Sequence, residues 1–281
     1  MPSATLLGQS VLSGVFIGAL YGLLGLGLSL SWGMLRQVNL AHFALAFLGG
    51  YLTFQLSGRL DPFATLAVTV PLFFLAGCAL HWFLSRYAAD MLNTLLVTFG
   101  LTIIIEAGIQ RIWTADFQRM ESGYGAIRWK IGALYIAFPD LVTLALAMLL
   151  CGTMWALLRF TDFGRAARAM TEDPAMAAAF GVNEKRLGYV ISGLAAAFAA
   201  VAGMCLALTH TLAPVQIYAW MGVVFAGVMI GGLGSAIGPL LAGLLIGISE
   251  ALTMAITAPT WAPLVSFTLL IAIILLRPAR F

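Results

Sequence analysis

Several polar side chains interrupt otherwise apolar stretches of this sequence: Asn39, His42, Thr98, Glu106, Gln110 and Glu250. An ionisable or amide group in an apolar layer is costly unless it meets a hydrogen-bonding partner or water. Such a residue can therefore have one of two roles: it forms a hydrogen bond between helices, or it lines a polar path for a solute. Both interpretations stay open for Glu106 and Glu250. Asn39, His42, Thr98, Glu106 and Glu250 are our candidates for residues of a translocation pathway.

Sequence motifs for catalysis and metal binding are absent. The chain has no HExxH motif, no nucleophile elbow and no pair of carboxylates in a shared polar setting. Cys78, Cys151 and Cys205 are far apart in apolar segments, which predicts small buried side chains instead of a disulfide framework or a metal site. We therefore expect no enzyme activity, no metal and no cofactor in this chain.

The elements that position these residues must cross a membrane. Of 281 residues, 62% are hydrophobic and 9% are charged, too few charges to cover a soluble domain. A span takes about 20 apolar residues. The composition predicts an all-α, polytopic transmembrane helix bundle of about eight or nine spans, forming one domain over residues 1–281. The apolar runs are 8–32, 40–57, 62–85, 92–113, 138–158, 187–210, 218–232, 236–257 and 262–276.

The seventh run, 218–232, is short and broken by glycines, so a re-entrant segment is an alternative to a full crossing there. The first residues, Met1 to Gln9, have neither a basic region nor a recognisable cleavage site, and we expect no removed signal peptide.

The long polar loop, about residues 159–186, contains strong local helix signals. Asp173 is predicted to cap a short helix that starts at Pro174, because its side chain can accept backbone N–H bonds and proline loses nothing at the first position. Gly181 can take the left-handed conformation that ends this helix, and Asn183 can cap the next one.

A first short helix is predicted over 164–171, with Arg165 and Arg168 on one face. Two short helices with a basic and apolar surface suit a groove on a partner protein. The alternative is a solvated loop held in the cytoplasm by its positive charge.

Arginine and lysine positions predict the orientation. With 159–186 in the cytoplasm, nine basic residues lie inside, namely Arg36, Arg86, Arg159, Arg165, Arg168, Lys185, Arg186, Arg277 and Arg280. Five lie outside: Arg59, Arg111, Arg119, Arg128 and Lys130. The C-terminus is then cytoplasmic, and the side of the N-terminus stays open. The net charge of +3 reflects this orientation and does not indicate nucleic-acid binding.

Glycines recur at intervals of four residues, which places them on one helix face and lets helix backbones approach closely in lipid. We assign helix packing to Gly14, Gly18, Gly22, Gly231, Gly232, Gly234 and Gly238. Gly227 pairs with Gly231 in this spacing, and Gly243 with Gly247.

Four stretches in this order resemble a known family. They are Tyr21-Gly-Leu-Leu-Gly-Leu-Gly-Leu28 with Trp32-Gly33 and Asn39-Leu-Ala-His42; Gly164-Arg-Ala-Ala-Arg-Ala169 with Glu172-Asp-Pro174 and Gly181-Val-Asn183; Gly231-Gly-Leu-Gly-Ser235 with Gly238; and Leu276-Arg-Pro278. The set resembles the inner-membrane permease subunits of branched-chain amino acid ABC importers, the LivH type.

This resemblance implies a multi-pass inner-membrane permease that works with a second, LivM-like permease, two cytoplasmic ATPases and a periplasmic substrate-binding protein. ATP and Mg would bind to the ATPases. The resemblance also implies that the 164–181 loop docks on an ATPase as the coupling element. Its residues here are Gly164, Arg165, Arg168, Glu172, Asp173, Pro174 and Gly181.

The chain departs from this family pattern near the expected path. Phe43 and Ala44 follow His42, where the family often has a glycine and an acidic residue, and Val223 stands where a lysine is common. Similar permeases serve urea, amides or aromatic acids, so these substrates are alternatives to an amino acid. An ion-coupled secondary transporter using Glu106 or Glu250, and a membrane scaffold without transport, are the rival classes.

Overall fold

The computed structural model describes residues 4–88, 90–257 and 259–276. This part of the chain forms eleven α-helices and one β-hairpin. The helices are α1 Ala4–Leu35, α2 Ala41–Leu56, α3 Leu66–Tyr87, α4 Met91–Trp113, α5 Phe138–Phe160, α6 Asp162–Glu172, α7 Pro174–Ala179, α8 Glu184–Thr209, α9 Ile217–Gly231, α10 Gly238–Ile256 and α11 Ala262–Leu276.

The nine predicted apolar runs all form helices, which confirms the all-α membrane bundle. Among the described residues, seven helical segments are long and apolar enough to cross a membrane, and two shorter apolar helices lie at Ala41–Leu56 and Leu264–Ile273. The seventh run is the uninterrupted helix α9, which with the preceding turn forms an 18-residue candidate span, Pro214–Gly231. At this position the structure therefore shows a helix that does not turn back.

Helices α1, α2 and α8 form the centre of the bundle. Their side chains are mostly buried, and α8 packs on α1, α2 and α3. Cys151 and Cys205 belong to this buried core, as the sequence predicts, whereas Cys78 of α3 is only partly buried. The long helices α3 and α4 instead expose many large apolar side chains, as surfaces facing lipid or another subunit do.

Successive long helices reverse direction, so the loops fall at two ends. At the α6–α7 end, the Arg36 guanidinium that follows α1 donates to the Thr171 carbonyl oxygen at 3.0 Å. At the opposite end, Gln9 of α1 bonds the backbone of Tyr135 in the hairpin. The first helix therefore starts at the hairpin end of the bundle.

The charges of the described loops divide between the two ends as predicted. Seven of the expected cytoplasmic residues lie at or next to the α6–α7 end: Arg36, Arg86, Arg159, Arg165, Arg168, Lys185 and Arg186. The five expected external residues lie at the hairpin end. Arg277, Arg280 and the C-terminus lie outside the described residues. Helix α11 runs toward the α6–α7 end.

The β-hairpin was not predicted from the sequence. Strands β1 Arg128–Ile131 and β2 Leu134–Ala137 are antiparallel, with Arg128 opposite Ala137. Gly132 in the turn has φ +63°, a conformation that glycine adopts without strain.

Glycines join α1 to α10, as their spacing predicts for Gly14, Gly18 and Gly22. A Cβ atom added to Gly14 would lie 2.6 Å from the Cα of Ile248, and one on Gly18 would lie 2.5 Å from the carbonyl oxygen of Gly243. Gly22 is equally close to the backbone of Leu240. The two backbones touch, and any side chain at these positions would separate the helices.

The prediction for the 231–238 glycines is partly wrong. Gly231 and Gly238 pack against each other across the α9–α10 turn, not on one helix face. Gly232 has φ +89° and open space around it, so its role is conformational. Gly234 has φ +75°, lies against Gly33 and donates its N–H to the Ser29 carbonyl at 3.0 Å. The turn breaks the helical periodicity on which the prediction depended.

Candidate functional site

The loop between α5 and α8 folds as two capped helices. Asp173 Oδ1 accepts the backbone N–H groups of Ala175 at 3.0 Å and Met176 at 3.1 Å, and Pro174 is the first residue of α7. This confirms the predicted helix start. Helix α6 begins earlier than predicted, at Asp162, because the Thr161 hydroxyl accepts the Gly164 N–H.

The end of α7 is also as predicted. Gly181 has φ +88°, and its N–H donates to the Ala178 carbonyl at 3.0 Å. Asn183 Oδ1 accepts the Arg186 N–H at 3.0 Å and starts α8. The loop is therefore a defined element whose bends are set by its own residues.

One face of α6 is fixed to the end of α5. Ala167 and Met170 are buried, and a Cβ on Gly164 would overlap the backbone of Leu158. The two arginines differ in their surroundings, although the sequence places them on one face. Arg165 pairs with Asp162 at the surface, whereas the Arg168 Nη1 donates to the Leu158 carbonyl at 2.6 Å. Arg168 thus helps to hold α6 on α5.

The sequence analysis missed the most exposed apolar side chains of this loop. Phe180 is 83% exposed and Met176 is 54% exposed. Met176 lies in the short helix α7, and Phe180 is the residue that directly follows it. The available signal was a large apolar residue placed immediately before the helix-ending glycine of a polar loop. Such side chains favour contact with another protein.

Replacing Asp173 with alanine should loosen α7. The loss of two N-terminal hydrogen bonds typically costs about 1 kcal/mol of helix stability. We expect amide hydrogen exchange over residues 174–179 to be about fivefold faster, because 1.4 kcal/mol corresponds to a factor of ten. Asp173→Asn keeps an acceptor and should exchange nearly as slowly as the wild type. Equal exchange in Asp173→Ala and wild type would contradict the capping role.

Helix α6 is connected to the membrane helices through the α1–α2 link. Arg36, in this link, contacts the Thr171 carbonyl near the end of α6 and has φ +53°. Further along the link, the Leu40 N–H donates to the Thr98 hydroxyl of α4 at 3.2 Å. The same hydroxyl lies 3.3 Å from the Val38 carbonyl oxygen. The link therefore joins α6, α1, α2 and α4.

Asn39 and His42 lie at the start of α2, beside this link. The His42 ring is buried, and its Nε2 is 2.9 Å from the Leu24 carbonyl oxygen of α1. Gly27 leaves the space that the ring occupies. Among the described residues, the buried Oδ1 of Asn39 has no hydrogen-bond partner. His42 thus has a structural contact, and Asn39 has an unused acceptor.

Glu106 lies elsewhere, between α4 and α9. Its Oε2 accepts the Tyr218 hydroxyl at 2.6 Å, and its Oε1 accepts the Gln110 amide at 3.1 Å. This is a hydrogen-bonded bridge between helices, one of the two interpretations of the sequence.

Glu250 of α10 is 5% exposed and lies against α1. Its Oε2 accepts the Tyr21 hydroxyl at 2.9 Å. The five predicted pathway residues therefore form three groups and not one cluster: Asn39, His42 and Thr98 near the α1–α2 link, Glu106 at α4–α9, and Glu250 at α1–α10.

Adjoining cavities lead from the hairpin end toward Glu250. One, of about 230 Å³, is lined by residues that include Asp140, Thr209 and His210. The next, of about 290 Å³, includes Trp220 and Glu250 in its lining. Ile17 and Met254 line both. This series of cavities runs between helices, and the sequence could not reveal it.

His210 lines the first cavity and contacts Trp220, which lines the second. Its ring meets the edge of Trp220 with centroids 5.3 Å apart, and its Nδ1 is 2.7 Å from the Thr209 hydroxyl. Burial lowers the pKa of His210 below its usual range, because the charged ring would lose water. The imidazole is therefore neutral at pH 7.

Metal-binding groups of three or more His, Cys, Asp or Glu side chains do not occur within the described ranges. What these residues form is a helical membrane bundle with buried polar groups, side cavities and a capped helix pair outside the spans. These features are those of a polytopic membrane protein with a folded helix pair between two of its spans.

The chain belongs to the family described as the branched-chain amino acid transport system permease component, which matches residues 10–274. It is 28% identical to the high-affinity branched-chain amino acid transport system permease protein LivH of Salmonella typhimurium, over 96% of this chain and 93% of that protein. LivH of Escherichia coli K12 is 27% identical over the same shares.

The permease protein BraD of Pseudomonas aeruginosa, also of a high-affinity branched-chain amino acid transport system, is 25% identical over 96% of this chain and 94% of its own length. No solved structure matches the chain. The resemblance drawn from the motifs is confirmed.

Proposed function

We propose that this chain is a transmembrane permease subunit of an ATP-binding-cassette importer in the bacterial inner membrane. Its substrate is a branched-chain or other hydrophobic amino acid delivered by a periplasmic binding protein. The observation that carries the proposal is the α6–α7 pair, twice capped and bearing exposed Phe180 and Met176, in a chain of the permease family.

The coupling step is a push on α6 and α7. ATP and Mg bind to two separate cytoplasmic ATPases, which close and move this helix pair. The movement reaches the α1–α2 link through Arg36 and the Thr171 carbonyl, and then α4 through Thr98. Coupling of this kind needs a rigid element with two positions. The link is short, buried in part and bonded on both sides, which supports this route.

The importer would contain a second, homologous permease subunit. Large apolar side chains of α3 and α4, such as Leu75, Leu92 and Ile104, are 65–67% exposed. Some of this surface faces lipid, and some would meet the second subunit. This chain itself contributes one permease domain and no ATP site.

Reconstitution tests the proposal. Proteoliposomes with both permeases, the ATPases and the binding protein should accumulate leucine only with ATP inside. Vesicles with this chain alone should show no uptake under an ion gradient. Gradient-driven uptake by the chain alone would instead show a secondary transporter. Assembly of the complex without any solute flux would indicate a scaffold.

A further inference from the structure

The cavity beside Glu250 combines apolar side chains with one acidic group, a composition that favours a cationic ligand with an apolar part. It measures about 290 Å³ and lies between α1, α9, α10 and the start of α11. Its lining includes the apolar residues Ile17, Val223 and Met254, and its polar groups belong to Tyr21, Trp220 and Glu250. Glu250 is the acidic residue of this lining, and its side chain is only 5% exposed.

The carboxyl group of Glu250 is only partly satisfied. Oε2 accepts the Tyr21 hydroxyl, and the Ser266 side chain of α11 also hydrogen-bonds the carboxyl group. Oε1 is buried and has no hydrogen-bond partner among the residues that the structure describes. Among the residues that the structure describes, Arg165 and Asp162 form an ion pair, and it lies far from this site. A buried carboxylate that lacks a cation is costly, and a ligand cation would remove that cost.

Two aromatic rings add to this preference. Tyr21 and Trp220 meet edge to face with centroids 5.5 Å apart, and both line the cavity. The faces of such rings attract ammonium groups. The remaining lining, including Ile17, Val223 and Met254, offers apolar contact to an alkyl chain.

We propose that this cavity is a binding site for a primary alkylammonium group, with Glu250 Oε1 as its acceptor. The inference deepens the proposed function, on which it rests, by naming the substrate group that the permease itself recognises. An amino acid with a branched alkyl chain presents both the ammonium and the apolar part. The adjoining cavity at Thr209 and His210 supplies the approach from the hairpin end.

Binding can be measured without the substrate-binding protein. The assembled permease–ATPase complex in nanodiscs is titrated with 3-methylbutylamine, which has the alkyl chain and the ammonium group but no carboxylate. Tryptophan fluorescence is the signal, and its loss in Trp220→Phe assigns it to this cavity. We expect saturable binding of the amine and none of 4-methylpentanoate, which lacks the ammonium group.

Glu250→Gln should weaken amine binding at least about tenfold, since it removes the charge but keeps an acceptor for Tyr21. Glu250→Asp keeps the charge and should bind within a few-fold of wild type. Ser249→Ala, on the neighbouring residue outside the lining, is the matched control and should bind as wild type. Equal amine affinity in Glu250→Gln and wild type, or tighter binding of the acid, would overturn the site.

Uptake separates this inference from the proposed function. If the wild-type importer takes up leucine but the amine does not bind, the ammonium site is wrong and the importer stands. If the wild-type complex takes up no amino acid, the proposed function fails. If the Glu250→Gln complex does not assemble, Glu250→Asp is the deciding variant. Retained amine binding by Glu250→Asp supports the site. Unchanged leucine uptake by Glu250→Asp without amine binding refutes it.

Discussion

Replacing Gly243 with valine will separate α10 from α1 and greatly reduce the amount of folded protein. A Cβ at Gly18 would lie 2.5 Å from the Gly243 carbonyl, and a Cβ at Gly243 would lie equally close to the Gly18 carbonyl. Backbone atoms on both sides leave nothing flexible to move. Overpacking typically costs about 1–3 kcal/mol, and backbone contact on both sides places this variant at or above the upper end.

The measurement is the thermal midpoint and the monodisperse yield of the purified chain in detergent. Gly100→Val is the matched control, because Gly100 is also helical but has open space where a Cβ would lie. We expect the control to retain the wild-type midpoint within a few degrees. A wild-type midpoint for Gly243→Val would show that the α1–α10 contact is not as close as described.

Replacing Phe180 with aspartate will detach the ATPase from the permease and abolish ATP-driven uptake. The Phe180 side chain is 83% exposed, so the fold loses little when it is changed. An aromatic residue that anchors a docking helix commonly contributes 2 kcal/mol or more to binding. We therefore expect ATPase affinity to fall by roughly thirtyfold or more.

Co-purification of the ATPase with tagged permease, together with leucine uptake in proteoliposomes, measures this effect. The control is Phe117→Asp, because Phe117 is 70% exposed but lies at the hairpin end. That variant should retain the ATPase. If Phe180→Asp also retained full ATPase binding and uptake, α7 would not be the docking helix.

The arginines of α6 give a less direct test of the same surface. Glutamate at both Arg165 and Arg168 is expected to abolish transport. However, Arg168 bonds the Leu158 carbonyl, so its reversal also disturbs the α5–α6 junction. Arg165→Glu alone changes only the exposed pair with Asp162 and separates the two effects.

The sequence by itself determined the local elements of this protein. Nine apolar runs predicted nine helices within a few residues, because a helix satisfies its own backbone in lipid and requires only a continuous apolar stretch. Asp173, Pro174 and Gly181 predicted the bounds of α7, because helix caps act within three or four residues.

Only the tertiary structure decided which distant residues meet. Glu250 bonds Tyr21, 229 residues away, and the cavity at this pair combines side chains of several helices. Helix packing also decides which loops meet at the hairpin end. It brings Gly231 against Gly238 and leaves Phe180 exposed. Small-residue spacing shows that helices can approach closely, but the choice of partner depends on the shapes of both surfaces, which no single segment contains.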